Sequence, residues 1–157
     1  MTSSGLRTTS NGAYSRMALN QSRLDDVTLA VADGLFEAGR TIVELAATRA
    51  PDSPYDPFPA GEGLPKQGGV LVYVANKKTH GWSIRGDQPK KPKAVRDTTK
   101  AHSAVAVVGF GFPARFNEAG TINQPARPFF TPSAREVQPH IPEIVGEVSR
   151  PKIAAMR

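Results

Sequence analysis

The sequence predicts an α+β domain: a small, mostly antiparallel sheet packed by a long N-terminal helix and a kinked C-terminal helix, with long loops. Three observations predict it. Apolar residues across positions 22–50 recur at three- and four-residue steps, the spacing of one helical face. Two valine-rich runs, VLVYVA at 70–75 and SAVAVVGF at 103–110, read as strands. Beyond residue 130 a helical phase returns and is interrupted by two prolines. The 14 glycines and 14 prolines then place long irregular segments between these elements.

Residues 1–20 are rich in Ser, Thr, Asn and Gly, with isolated Leu6, Tyr14, Met17 and Leu19. So few apolar groups do not offset the entropy of ordering, so a flexible N-terminal arm is expected, or one that orders on a neighbouring subunit. A single domain follows over residues 21–150. In its first helix Leu24, Val27, Val31, Leu35, Ala38, Ile42 and Leu45 share a stripe, Asn20 or Ser22 can cap the start, and Pro51 ends it. Gly34 and Gly39 lie inside this helix, where they predict a bend or the close approach of another backbone.

The five-proline stretch at 50–69 reads as a loop, functional or mobile for its length. Its DSPYDPFPAGEG part, with Tyr55 and Phe58, is expected to order on neighbours. The strand at 70–75 is apolar at successive positions, so both its faces should be covered. ANKKTHGW then turns it into a hairpin that ends near residues 82–85. A basic loop leads to the strand at 103–110. Thr131 reads as an N-cap with Pro132 at the first helical position. Ala134, Val137, Ile141, Ile144 and Val148 keep helical phase, and Pro139 and Pro142 predict a kink. Residues 151–157 read as a C-terminal tail.

The chain has no cysteine, which excludes disulfides and thiolate metal sites. No apolar run approaches the roughly 20 residues of a membrane span, and the N-terminus has no signal-peptide core. The net charge of +6 is concentrated. Residues 76–102 hold Lys77, Lys78, Arg85, Lys90, Lys91, Lys93, Arg96 and Lys100 against only Asp87 and Asp97, while the rest of the chain balances. Such a segment is either a solvated loop or a contact for a polyanion, DNA phosphate or an acidic protein rim. Trp82 alone could stack on a base there, which disfavours a single-strand platform. His80, His102 and His140 are not spaced as a metal or catalytic set, GFGFPA has a proline where a phosphate-binding helix would start, and no catalytic motif appears. The expectation is a non-enzymatic protein without cofactor or metal.

One segment resists a structural label. Residues 113–132 carry two Pro-Ala-Arg triplets and three phenylalanines, Phe116, Phe129 and Phe130, in a stretch too rich in proline for a helix and too broken for a strand. Its ARFNEAGT (114–121) and QPARPFFTPSARE (124–136) make the chain resemble the neck proteins of long-tailed phages, the head–tail connector or tail-completion family of the "gene product ten" type. Those proteins carry an acidic–x–Gly–Thr turn, a spacer, then Pro-Ala-Arg-Pro-Phe leading into a final helix. Glu118, Gly120 and Thr121 match the first part; Pro125, Ala126, Arg127, Pro128 and Phe129 match the second. The resemblance spans about residues 21–150. Ala119 departs from it where an aromatic is expected, and both long loops are insertions.

The resemblance implies a structural virion protein: a homo-oligomeric ring in the phage neck, assembled in the host cytoplasm, joining the portal side of the head to the tail. Its partners would be adjacent neck and tail rings (a stopper or adaptor, the tail terminator or the tail tube), with non-specific contact to passing DNA and no membrane. A tail terminator that caps the tail tube is a neighbouring alternative, and a basic nucleic-acid-binding accessory protein is one of another class. Phe116, Glu118, Gly120, Thr121, Arg127, Pro128, Phe129 and Phe130 form the expected assembly element, with Glu118 as a candidate partner for Arg127, within the subunit or across to the next, and Phe129 seated in an apolar pocket. The opposing reading is that Phe129 and Phe130 plug the domain's own core.

Overall fold

The computed structural model describes residues 4–51, 64–86, 102–111 and 114–156, with side chains from residue 21 onward except at 64 and 65. The DSPYDPFPAGEG loop, the side chains of Leu6, Tyr14 and Met17, and Lys90, Lys91, Lys93, Arg96 and Lys100 lie outside the described residues. The architecture is α+β. Helix α1 (Ser4–Arg49) is followed by strands β1 (Gly69–Val74), β2 (Lys77–Ser83) and β3 (Ala104–Gly109). Three helices close the chain, α2 (Ala114–Ala119), α3 (Phe130–Val137) and α4 (Ile141–Ala155).

The sheet has the order β2-β1-β3, antiparallel throughout. A two-residue turn joins β1 to β2, with Ala75 and Asn76 at φ of 48° and 66°. Both residues being left-handed matches the tight turn whose twist suits a hairpin. Thr79 is bulged, since Val72 pairs with His80 and Tyr73 with Lys78. That extra residue resets the alternation, so His80 and Trp82 share a face with Val72 and Val70. β1 is the central strand and Val70, Leu71, Val72 and Tyr73 are all buried, as expected for a strand covered on both faces. Val70 and Val72 meet Ala32 and Val43 of α1, while Leu71 and Tyr73 pack with Val107 on the opposite face. Burial pushes the Tyr73 hydroxyl above its ordinary pKa.

The first helix differs from expectation at its start. It begins at Ser4, not near residue 22, so positions 4–20 continue it as helix and are no irregular arm. The physical reason is in the chain: no proline occurs before residue 51, and nothing stops helical hydrogen bonding from running back. At 1.5 Å per residue its 46 residues extend about 69 Å.

The buried residues of α1 are also smaller than the predicted stripe. Thr28, Ala30, Ala32, Ala38, Ile42, Val43 and Ala46 are buried, whereas Leu24 is 52% exposed. Two glycines explain this choice of size. A Cβ on Gly34 would sit 2.8 Å from the Val145 Cα of α4. One on Gly39 would sit 2.8 Å from a Val70 methyl of the sheet. Helix α1 is thus pressed by α4 at one position and by the sheet a turn and a half later, and only small residues allow both approaches.

The closing helix is kinked as predicted. A 3-10 turn over Gln138–His140 separates α3 from α4, with Pro139 and Pro142 beside the break. Its end differs: α4 runs through Pro151 to Ala155, where a tail was expected. Pro151 withholds one N–H from the ladder, and the helix continues past it. Polar ties fix α4 and β2 to α1. Asp33 receives Lys152 from α4 and, at 2.6 Å, His80 Nε2 from β2. His80 also stacks on Phe36 at 5.1 Å. Burial alone would raise the Asp33 carboxyl, but the Lys152 and His80 contacts outweigh it and hold its pKa below the ordinary value.

Candidate functional site

The segment that resisted a label is a folded excursion between β3 and α3. It starts with α2, whose first turn is closed by the Ala114 N–H donating to Gly111 O at 3.0 Å. Gly120 ends the helix. Its φ is +74°, and a Cβ there would lie 2.8 Å from the Ala126 nitrogen. Only glycine meets both demands, so this residue of the family-like motif is required by the backbone. A tight turn follows, in which Thr121 and Gln124 exchange backbone hydrogen bonds of 2.8 and 3.3 Å. The chain then returns antiparallel to α2, and the Arg127 N–H donates to Asn117 O at 2.7 Å.

Glu118 closes the excursion. Its Oε1 accepts from the N–H groups of Phe129 at 2.8 Å and Phe130 at 2.5 Å; its Oε2 accepts from the Thr131 N–H at 3.4 Å and the Thr131 hydroxyl at 2.9 Å. These are the orphan donors at the start of α3. The helix therefore begins at Phe130 with its cap supplied from eleven residues upstream, and the expected Thr131 cap is corrected. A carboxylate at a helix N-terminus is favoured by both hydrogen bonding and the helix dipole. Burial would raise the Glu118 pKa, but these N–H groups and the Thr131 hydroxyl outweigh it and hold it low. The expected pairing of Glu118 with Arg127 within the subunit is corrected too. The carboxylate oxygens are committed to α3, and the Arg127 side chain is exposed.

The three phenylalanines separate. Phe129 is 1% exposed and packs against Ala46 of α1 and Ala114 of α2. Phe110, just past the end of β3, meets it edge-on at 5.1 Å and meets Phe130 at 5.8 Å. Phe129 thus seats in its own subunit's core rather than as an anchor reaching outward. The reason is geometric: Glu118 fixes where α3 starts, which turns Phe129 inward against α1. Ser133, at the next turn, is fully buried and donates to Phe129 O at 2.6 Å, and Arg49 reaches both Ser133 Oγ at 3.5 Å and Glu136 at 2.5 Å. Phe116 stays outside at 42% exposure, with the Arg115 guanidinium 5.7 Å from its ring. Thr121 and Pro128 are exposed.

Two residues were not singled out from sequence. Asn117 is buried at 8% and anchors the returning segment through its carbonyl, while its side-chain oxygen takes Gln124 Nε2 at 3.5 Å. Ile122 is fully exposed at the tip of the turn. Its only sequence signal is an isoleucine lodged among Thr, Asn and Gln, where a polar residue would suffice.

Of the basic loop, Lys77 and Lys78 stand exposed at the start of β2 and Arg85 is exposed beyond its end. Trp82 is half-buried against the α1–sheet core with Arg40 over its ring at 5.1 Å, so it is already stacked and offers no platform for a base. Among the described residues no three His, Asp or Glu side chains gather as a metal site, and no helix is long and apolar enough to cross a membrane. No protein-family model, curated protein or solved structure matches the chain.

Proposed function

We propose that this chain is a structural subunit of a phage neck, forming a ring that joins the portal side of the head to the tail and completes it. The observation that carries the reading is the motif at 114–136. Its matched residues, Glu118, Gly120, Thr121 and Phe129, occupy one interlocked unit in which each has a separate mechanical task. Glu118 caps α3, Gly120 makes the turn, Thr121 closes it, and Phe129 locks the unit to α1. A rigid projection built this way suits a scaffold that must present a surface at a fixed angle, and it holds no catalytic constellation.

In this reading the positive charge of residues 76–102 faces a negative neighbour, either passing DNA or an acidic rim on an adjacent ring. The contact to DNA would be weak, salt-sensitive and indifferent to sequence. The test is immunogold or cryo-electron microscopy of the particle encoded with this chain. Label or density in a ring at the head–tail junction is the expected result. Intact, joined particles from which the chain is absent would overturn the reading.

A further inference from the structure

The two edges of the sheet are built differently. β2 forms one edge and carries Lys77, Lys78 and the bulge at Thr79, devices that discourage a further strand from adding. β3 forms the other edge with the sequence AVAVVG, which has no charge, proline or bulge. Among the described residues no strand lies beyond it, and its residues are half-buried where residues 70–73 of β1 are buried. Two bonds fix what its outer side offers. The Ala75 N–H donates to Ser103 O at 3.4 Å, so residues 103, 105, 107 and 109 turn their backbone groups to β1. The Ile84 N–H donates to Gly68 O at 3.0 Å, which gives β2 the alternate residues of β1 and agrees with that phase. Ala104, Ala106 and Val108 therefore direct their N–H and C=O groups outward, a row that recognises another extended backbone. The segments at 52–63 and 87–101 are poorly suited to supply it, since neither holds a run longer than two residues free of proline and charge.

We infer that the occupant is a second copy: free subunits pair β3 to β3, antiparallel, about a two-fold axis at Ala106. In that register Ala106 faces Ala106 of the partner subunit, and Ala104 faces Val108 of the partner subunit. All the outward N–H and C=O groups of both strands are then satisfied, and two three-stranded sheets become one. Residues 103–111 hold no charge, so no like charges meet across the pair. The contact is isologous, unlike the head-to-tail contact of a ring. A cyclic ring contains no such two-fold axis, so the pair is a form of the free subunit that must part before a ring closes. The inference goes beyond the ring reading and does not rest on it.

The test sediments full-length protein over a range of concentrations and follows amide exchange residue by residue. The expected result is a dimer at high concentration in which the Ala104, Ala106 and Val108 amides are shielded. On dilution these three should exchange faster, while Val105 and Val107, bonded to β1, stay shielded. Ala106→Pro removes an outward N–H and no bond to β1, so it should weaken the dimer by more than about tenfold. The chain has no native cysteine, so Val105→Cys and Val107→Cys proteins can be mixed and oxidised. In the inferred register these positions face each other at about 4.5 Å between Cα atoms. The mixture should give disulfide-linked dimer and either variant alone none, which decides the matter if Ala106→Pro does not fold. A monomer at every concentration would overturn the pairing. So would outer amides shielded equally in the monomer, which would show that the chain covers its own edge. A dimer that survives Ala106→Pro and is not cross-linked in the mixture would place the contact elsewhere and overturn it too.

Discussion

Two stretches of α1, its middle around residue 24 and its C-terminal part, carry the same kind of side-chain pattern and meet opposite fates. Leu24, Thr28 and Ala32 follow one another at four-residue steps, yet Thr28 and Ala32 are 8% and 0% exposed while Leu24 is 52% exposed. In the C-terminal part Val43 is buried beneath the sheet and Ala46 beneath the Phe129 cluster. The helix does not change between these places; its cover does. Hydrophobic stabilisation follows area removed from water, so an apolar residue contributes only where another element arrives to cover it. The C-terminal end receives β1, α2 and α3, tied by Glu118 and by Arg49. At Leu24 none of these elements covers the helix.

Replacing Phe129 with Ala attacks the covered end most severely. It empties the site between Ala46, Ala114 and Phe110, and a loss of about 3–5 kcal/mol is expected. Chemical denaturation gives the value. An unchanged midpoint would mean that Phe129 is not the plug of this end.

Gly34→Ala tests the close approach of α4. Ala raises intrinsic helix propensity by about 1 kcal/mol over Gly. The added Cβ, however, meets backbone atoms of Val145 at 2.8 and 2.9 Å, which no side-chain rotation relieves. Overpacking of this kind costs about 1–3 kcal/mol, so net destabilisation is expected in a thermal melt. A stabilised variant would show that the two helices can part freely.

Glu118→Gln keeps the shape of the cap and removes its charge. A loss of about 0.5–2 kcal/mol is expected. The wild type should also show a pH signature. Glu118 and Asp33 both have folded-state pKa values held low, so their contribution is fully present above the ordinary carboxylate range. It is lost as pH falls through that range toward the depressed values. Denaturation midpoints collected from pH 7 down to acid should fall for wild type and less steeply for Glu118→Gln. Parallel curves would remove Glu118 from the account.

Leu24→Gln, at the exposed position in the middle of α1, should change the stability of the isolated subunit by no more than about 0.5 kcal/mol. A large loss would show that this stretch is covered within the subunit, and the contrast between the two stretches would collapse.

The α+β class, the strands near 70–75 and 103–110, the hairpin between them and the kink at Pro139 and Pro142 were legible in the chain. Each depends on local properties: the period of apolar residues, valine-rich runs, and prolines that cannot donate. The importance of Glu118 and Gly120 was visible as a motif, but their tasks were not. The helix cap comes from a residue eleven positions away, and no local pattern announces which N–H groups a carboxylate will reach. The same holds for Phe129, whose inward turn follows from where α3 is made to start. Periodicity also pointed to Leu24 and passed over Ala32, because it reads the size and phase of side chains and not the distance to what packs on them. By itself, then, the sequence determined which segments are helix or strand and where proline and glycine break them. Only the tertiary structure decided which apolar residues became core, since burial belongs to the partner that covers a face as much as to the face itself.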